Sequence, residues 1–379
     1  WIFSGAIEEI RGDTRESGQL ADVFDFDGNW IARAYYNSKS QITCRVLTWE
    51  QNESIDENFW RTKLEKSLSR RNALNLEPST SAYRLVNAES DGLPGLVVDK
   101  YGDYIVIQAQ TAGIDRLKEQ LVRLLIELLH PVGVIERSDM AARKKEGLRK
   151  VVGVLAGTSP PEKLIVQEND YRFVVDLYRG HKTGLYLDQR ENRLEICKKH
   201  IVHEQSILNV FAYTGGFAVY AAANRAATIT NVDSSEFVLE YAKENVLLVD
   251  PTRTSDSYIT GDAFKILRQL REEGKQYDMI VIDPPKFAHN KKDVPSACRG
   301  YKDLNLLAMQ LIRPNGILAT FSCSGLVSED LFQKVLFGAS IDAKRDVQIL
   351  KRLGQSADHP ILLTFPESSY LKGFLCRVF

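Results

Sequence analysis

From residue 206 onward, short apolar runs of strand length alternate with helical segments, and several of the runs end on glycine or aspartate. Ile207–Phe211, Thr228–Val232, Ser257–Thr260, Met279–Ile282 and Gly316–Phe321 read as strands. Phe217–Ala223, Glu236–Leu248 and Asp303–Leu311 read as the helices between them. Strands that alternate with helices run parallel, because each helix carries the chain back along the sheet, and such a sheet needs cover on both faces. The expectation is an α/β unit over 189–379, with its ligands beyond the carboxyl ends of the strands. The last run, Ile361–Phe365 and Leu371–Phe379 around Pro366–Tyr370, reads as two strands forming an antiparallel edge.

Upstream the pattern differs. In the first sixty residues, turn signals at Gly12-Asp13, Gly18 and Asp27-Gly28-Asn29 punctuate the strands Trp30–Tyr36 and Ile42–Trp49, a small β-rich module placed at 1–65. Asp56–Leu74 has helical spacing. Between 66 and 188 the chain reads as an α+β unit, with strands at Leu93–Asp99, Tyr104–Ala109, Gly133–Ile135, Lys163–Glu168 and Arg172–Asp176 around one amphipathic helix that Pro131 closes.

Composition excludes several classes. With 379 residues, 44% hydrophobic and 26% charged, the chain has material for two or three cores and lacks the signature of disorder. Its formal charge of −1 requires that any nucleic-acid surface be a local basic patch. Five cysteines form no C-x-x-C pair and read as reduced thiols. The most apolar helix, Leu117–Leu129, is interrupted by Arg123 and Glu127, so no membrane span is expected. No signal peptide is read, although the chain begins at Trp1 rather than Met, and a cytoplasmic protein is the default expectation.

The strand ends carry the chemistry. Ala212-Tyr213-Thr214-Gly215-Gly216-Phe217 is a glycine turn opening a helix, where the backbone can approach a ligand and free N–H groups face it. Neither G-x-G-x-x-G nor G-x-x-x-x-G-K-[ST] is present, which weakens NAD and ATP. Asp233 follows Gly215 by 18 residues, a spacing that suits a carboxylate accepting from ribose hydroxyls. Asp262, after Gly261, could reach an adenine amine. Each acid alone fits a helix N-cap equally well. Together with the glycine turn, and without a phosphate loop, they favour S-adenosylmethionine. Asp283-Pro284-Pro285-Lys286-Phe287 then follows an apolar strand, and its prolines fix a turn that pushes Asp283 outward. Phe321-Ser322-Cys323-Ser324-Gly325 ends the next strand, with Cys323 facing the same crevice.

These segments, with Lys182-Thr183-Gly184-Leu185-Tyr186-Leu187-Asp188-Gln189-Arg190, resemble the rRNA large-subunit methyltransferase I family, S-adenosylmethionine-dependent RNA cytosine-5 methyltransferases. The resemblance spans essentially the whole chain. It implies a PUA RNA-binding domain at the N-terminus, without its opening strand, then a central domain and a Rossmann-like catalytic domain. The implied activity is methylation of carbon 5 of a cytosine in 23S ribosomal RNA, and a homodimer is compatible with it. The implied catalytic residues are Cys323 and Asp283. The implied cofactor contacts are Asn209, Phe211, Tyr213, Thr214, Gly215, Asp233, Ser234, Asp262, Ala263, Gln189 and Arg190.

Chemistry explains the thiol. Carbon 5 of cytosine is a poor nucleophile until a thiolate adds at carbon 6 and makes it enamine-like; sulfur leaves after the carbon-5 proton is lost. Cys323 is the expected nucleophile, and Asp283 would hydrogen-bond the ring N3 or the amino group. Many RNA cytosine-5 enzymes carry a second cysteine where this chain has Asp-Pro-Pro-Lys, so Cys323 stands alone, and Cys298 reads as incidental in a charged loop.

For RNA contact, Lys286, Phe287, Arg299, Tyr301 and Lys302 are expected, cations on phosphates and aromatics on unpaired bases, together with Lys291, Lys292 and His289. Arg137–Lys150, with six basic and two acidic residues, is a second candidate. The target cytosine must be unpaired or flipped out. His200-x-x-His203 reads as solvent-facing, and no metal is expected. Two alternatives keep much of this pattern. One is a base N-methyltransferase of the same fold, which needs no thiol; the other is a non-catalytic RNA-binding protein, which needs none of the three acids Asp233, Asp262 and Asp283.

Overall fold

Residues that alternate in and out of a surface build the first sheet, in the order Ile2–Phe3, Ile42–Thr48, Trp30–Tyr36, Gln19–Phe24, all antiparallel. Its inward side chains include Ala34, Tyr36 and Cys44, packed against Ile2, Val23 and Val46. The structure is a computed structural model that describes residues 1–12 and 16–379. Asp13 of the expected Gly12-Asp13 turn therefore lies outside the described residues. The chain divides into two compact units, one comprising Trp1–Gln167, Val175–Leu187 and Ala357–Ser368, the other Glu168–Val174, Asp188–Ser356 and Ser369–Phe379.

The first unit also holds a five-stranded sheet, in the order Ala82–Asn87, Leu96–Tyr101, Tyr104–Ala109, Gly133–Ser138, Val151–Gly157. Only one pair in it is parallel, Tyr104–Ala109 with Gly133–Ser138, and helix Ala112–Leu129 makes the crossover that a parallel pair requires. Thr111 caps that helix through Ile114 N. A second helix, Glu57–Asn72, starts where Asp56 accepts from Phe59 N at 3.0 Å, and it buries Trp60 and Leu64 in the same core. The sequence pattern misses strands Ala82–Asn87 and Val151–Gly157.

The second unit is the α/β sheet. Its strands are β1 Ser206–Val210, β2 Thr228–Asp233, β3 Ser257–Thr260, β4 Tyr277–Ile282, β5 Ile312–Ser322, β6 Val347–Gly354 and β7 Lys372–Val378. Spatial order is β3-β2-β1-β4-β5-β7-β6, with β1 to β5 parallel and β7 antiparallel to both neighbours. Helices α1 Arg190–Ile196, α2 Gly216–Ala223, α3 Glu236–Val249, α4 Ala263–Glu272, α5 Val294–Leu311 and α6 Glu329–Ala343 belong to the same unit. Central strands are buried on both faces, which is why Leu208, Val210, Ile280, Ile282 and Leu318 form nearly continuous apolar runs. The order reverses between β1 and β4, which puts a topological switch point at their carboxyl ends.

Two expectations at the C-terminus are corrected. Ile361–Phe365 is not a strand and carries only an isolated bridge between Leu362 and Phe365. Lys372–Val378 is antiparallel, but it lies inside the sheet between β5 and β6, and β6 forms the edge. No helix among the described residues is long and apolar enough to cross a membrane.

Candidate active site

The turn after β1 bends through three residues with positive φ, Phe211 at 62°, Tyr213 at 48° and Gly215 at 79°. Non-glycine residues enter this region at a cost, so the surrounding structure must hold them there. Asp233, at the end of β2, accepts from Tyr213 N at 2.9 Å through one carboxylate oxygen and from Ser235 N at 3.1 Å through the other. Asn245 of α3 donates to Thr214 O at 2.9 Å. Gly215 closes against α3, where an added Cβ would meet Ala242 at 3.0–3.3 Å. From this clamped turn, α2 begins with its N–H groups facing the carboxyl ends of the strands. Thr214 Oγ1 is buried and has no hydrogen-bond partner among the described residues. Asp262 caps α4 through Lys265 N at 3.0 Å and is exposed.

A second cluster sits beyond β4 and β5, where Ile282 lies opposite Thr320. Asp283 accepts from Gln189 Nε2 at 2.9 Å, and Gln189 is fixed in turn by Asn192 Nδ2 at 2.6 Å. The Cys323 thiol points to the Pro284 carbonyl, Sγ to O 3.7 Å, and is half-buried. The serines on either side of it are fully buried and act as clamps. Ser324 Oγ accepts from Phe287 N at 3.2 Å and Ala288 N at 3.3 Å, tying the Asp-Pro-Pro-Lys-Phe turn to the cysteine loop. The Tyr301 hydroxyl lies 3.0 Å from both Ser322 Oγ and Ser324 Oγ. Burial raises the Tyr301 phenol, so it stays a neutral bonding partner at ordinary pH.

Most of the expected site residues converge on these two clusters, and several play a different part. Asn209 is buried within the sheet, where its amide donates to Asn231 Oδ1 at 3.0 Å. Gln189 and Arg190 are buried as well, and Gln189 aims at Asp283. Phe211 is part-buried against the core, while Ser234 is exposed and Ala263 buried.

The basic run is corrected in kind. Residues from Val294 onward are helix α5, so Cys298, Arg299, Tyr301 and Lys302 do not lie in a loop. Tyr301 is completely buried and cannot stack an RNA base; Phe287 packs on it with ring centroids 4.8 Å apart. Lys302 pairs with Asp342 at 2.7 Å. Lys286, His289, Lys291, Lys292 and Arg299 remain exposed. In Arg137–Lys150, Arg137 and Arg143 are buried ties: Arg137 donates to Leu177 O and Gly180 O at 2.6 and 2.7 Å, and Arg143 bonds Ala109 O. Only Lys144, Lys145, Arg149 and Lys150 are left on that surface.

A family model for S-adenosylmethionine-dependent methyltransferases matches residues 149–353, and a PUA-like domain model matches residues 1–49. The ribosomal RNA large subunit methyltransferases I of Aliivibrio fischeri and Shewanella amazonensis are 45% and 47% identical to this chain over 378 residues, covering all of it and 95% of each relative. The chain belongs to this methyltransferase family. SMU.776, solved in complex with SAH, superposes with a TM-score of 0.84 at 22% identity, covering 96% of this chain and 92% of that one, and so shares the fold.

Membership in the rRNA large subunit methyltransferase I family makes S-adenosylmethionine the cofactor, and the turn after β1 fits it. The strained backbone, the orphaned Thr214 hydroxyl and the oriented Asp233 carboxylate together form a polar cradle at the switch point. The serine clamp carries a stability prediction. Ser324→Ala leaves Phe287 N and Ala288 N without their acceptor and should cost about 1–3 kcal/mol. A urea melt checks this, and an unchanged midpoint would show that the clamp does not hold the loops.

Proposed function

We propose that this protein methylates carbon 5 of a cytosine in large-subunit ribosomal RNA through a covalent adduct with Cys323. The observation that carries the reading is the 3.7 Å approach of Cys323 Sγ to Pro284 O, which brings a part-exposed thiol beside the Asp283 turn. The thiolate adds to carbon 6, forming a C–S bond and pushing electron density onto carbon 5. S-adenosylmethionine, when bound, supplies the methyl group that carbon 5 takes. Loss of the carbon-5 proton to a base then expels the sulfur as thiolate and restores the aromatic ring. Asp283, held by Gln189, would bond the ring N3 or amino edge and keep the base oriented.

The cofactor would lie along the turn Phe211–Gly215, with Asp233 accepting from the ribose hydroxyls and Asp262 near the adenine. Asp233→Ala is expected to weaken S-adenosylmethionine binding about 10- to 100-fold, since it removes charge-assisted hydrogen bonds. It also frees Tyr213 N and Ser235 N, so the titration should be run beside a melting curve. Unchanged affinity would remove Asp233 from the pocket. The PUA-like module and the exposed cations Lys286 and Arg299 would contact RNA.

The reading is tested by incubating the protein with labelled S-adenosylmethionine and unmodified ribosomal RNA, followed by nucleoside analysis. Label in 5-methylcytidine supports it; label in N-methylguanine or N-methyladenine overturns the carbon-5 chemistry. RNA containing 5-fluorocytosine should trap a covalent complex, because the fluorine cannot leave as a proton does.

A further inference from the structure

The last strand of the sheet brings a buried cation to the cysteine loop. Lys372 opens β7 opposite Ser322 of β5 and is only 7% exposed. Burying an ammonium is costly unless its donors are satisfied. No carboxylate pairs with it among the described residues. Its Nζ instead donates to Ser324 O and Val327 O, each at 2.8 Å. Both carbonyls belong to the turn that follows Cys323, and Ser324 O also accepts from Val327 N at 3.0 Å. The ammonium thus closes the turn that fixes where the thiol sits.

We propose that Lys372 is a positioning residue for Cys323, clamping the 324–327 turn and holding the sulfur as thiolate near neutral pH. The proposal rests on the reading of Cys323 as nucleophile. A free thiol titrates near 8.5, and a nearby positive charge is one of the features that lower it towards neutral pH. Burial, opposed by the negative charge of ionised Cys323 and reinforced by the Lys286 charge, leaves the Lys372 ammonium lowered to about 8. Such coupling is mutual: a thiolate that favours the ammonium is favoured by it.

Other groups bear on the same pair. Lys286, from the turn after β4, is exposed and adds positive charge. Asp283, from the same turn, opposes the thiolate as a like charge, with one oxygen engaged by Gln189. Tyr301, from α5, is raised chiefly by burial and further by Cys323, so it stays neutral. Among the described residues, Lys372 is therefore the buried cation of the cluster, and it is tied to the cysteine loop by direct bonds.

The test follows Cys323 alkylation by iodoacetamide against pH, read by mass spectrometry of its peptide in the full chain. Lys372→Met should raise the midpoint by about one unit, leaving roughly tenfold less thiolate at pH 7. Lys372→Arg, which keeps the charge, should restore most of it. An unmoved midpoint in folded Lys372→Met overturns the proposal. If that variant does not fold, the converse measurement applies: Cys323→Ala should lower the midpoint for acetylation of Lys372, and an unmoved midpoint there overturns it too. The two readings fail separately. Methyl transfer retained by Cys323→Ala removes the nucleophile while the titration shift can still stand. An inactive Cys323→Ala with an unmoved thiol titration in Lys372→Met removes only the role of Lys372.

Discussion

Cys323→Ala should abolish methyl transfer, lowering turnover by at least ~10³-fold, because without the sulfur there is no addition at carbon 6 and carbon 5 stays unreactive. S-adenosylmethionine affinity should hold, since the proposed cofactor turn lies after β1 and the thiol beyond β5. Stability should change by less than about 1 kcal/mol, as the side chain is small and part-exposed. Label transfer to ribosomal RNA, calorimetric titration with S-adenosylmethionine and a melting curve separate these effects. Turnover within tenfold of the wild type would remove Cys323 from the chemistry. A matching loss of affinity and stability would make its role structural.

The second large effect falls on a buried ion pair. Arg193 of α1 donates to both oxygens of Glu168, at 2.8 and 2.7 Å, and the Tyr220 hydroxyl adds a bond to Glu168 at 2.9 Å. Burial alone would push the Arg193 guanidinium down; the Glu168 charge and hydrogen bonds outweigh it and hold the group above its ordinary value. The pair also sits behind the turn after β1, because a Cβ on Gly216 would meet the Arg193 side chain at 3.0 Å. Glu168→Ala strands a buried cation and should cost about 3–5 kcal/mol, lowering the urea midpoint of the second unit by roughly 1–2 M. Replacing both partners by apolar residues of similar size, Glu168→Leu with Arg193→Met, should recover most of that loss. All four tryptophans (Trp1, Trp30, Trp49 and Trp60) lie in the first unit, so their fluorescence serves as the control while circular dichroism follows the second. A midpoint unchanged by Glu168→Ala would mean that the pair contributes nothing.

Local patterns reached the central parallel strands β1, β4 and β5 because each holds an apolar run next to a turn signal or a helix, and burial on both faces demands such a run. They also reached Asp233, Asp283 and Cys323, because the carboxyl end of a strand is a place that the sequence marks directly. Tyr301 departs from the sequence expectation for an identifiable reason. An aromatic among lysines and arginines looks like a base-stacking residue, yet Ala297, Tyr301, Leu304 and Ala308 fall at helical spacing on the buried face of α5. That spacing was the available signal, and the charges between its members obscured it. Lys372 gives no signal in sequence, since its place beside the cysteine loop comes from pairing with a strand some fifty residues earlier in the chain.

The sequence by itself determined the parallel α/β architecture, the positions of Asp233, Asp283 and Cys323 at strand ends and the family, because those depend on periodicity and on short motifs. Only the tertiary structure decided that β7 enters between β5 and β6, that Gln189 holds Asp283 across 94 residues of chain, and that Lys372 and the two serines clamp the cysteine loop. These are contacts between distant segments, set by which apolar faces pack together and which buried polar groups must find partners, and no local pattern of residues encodes that choice.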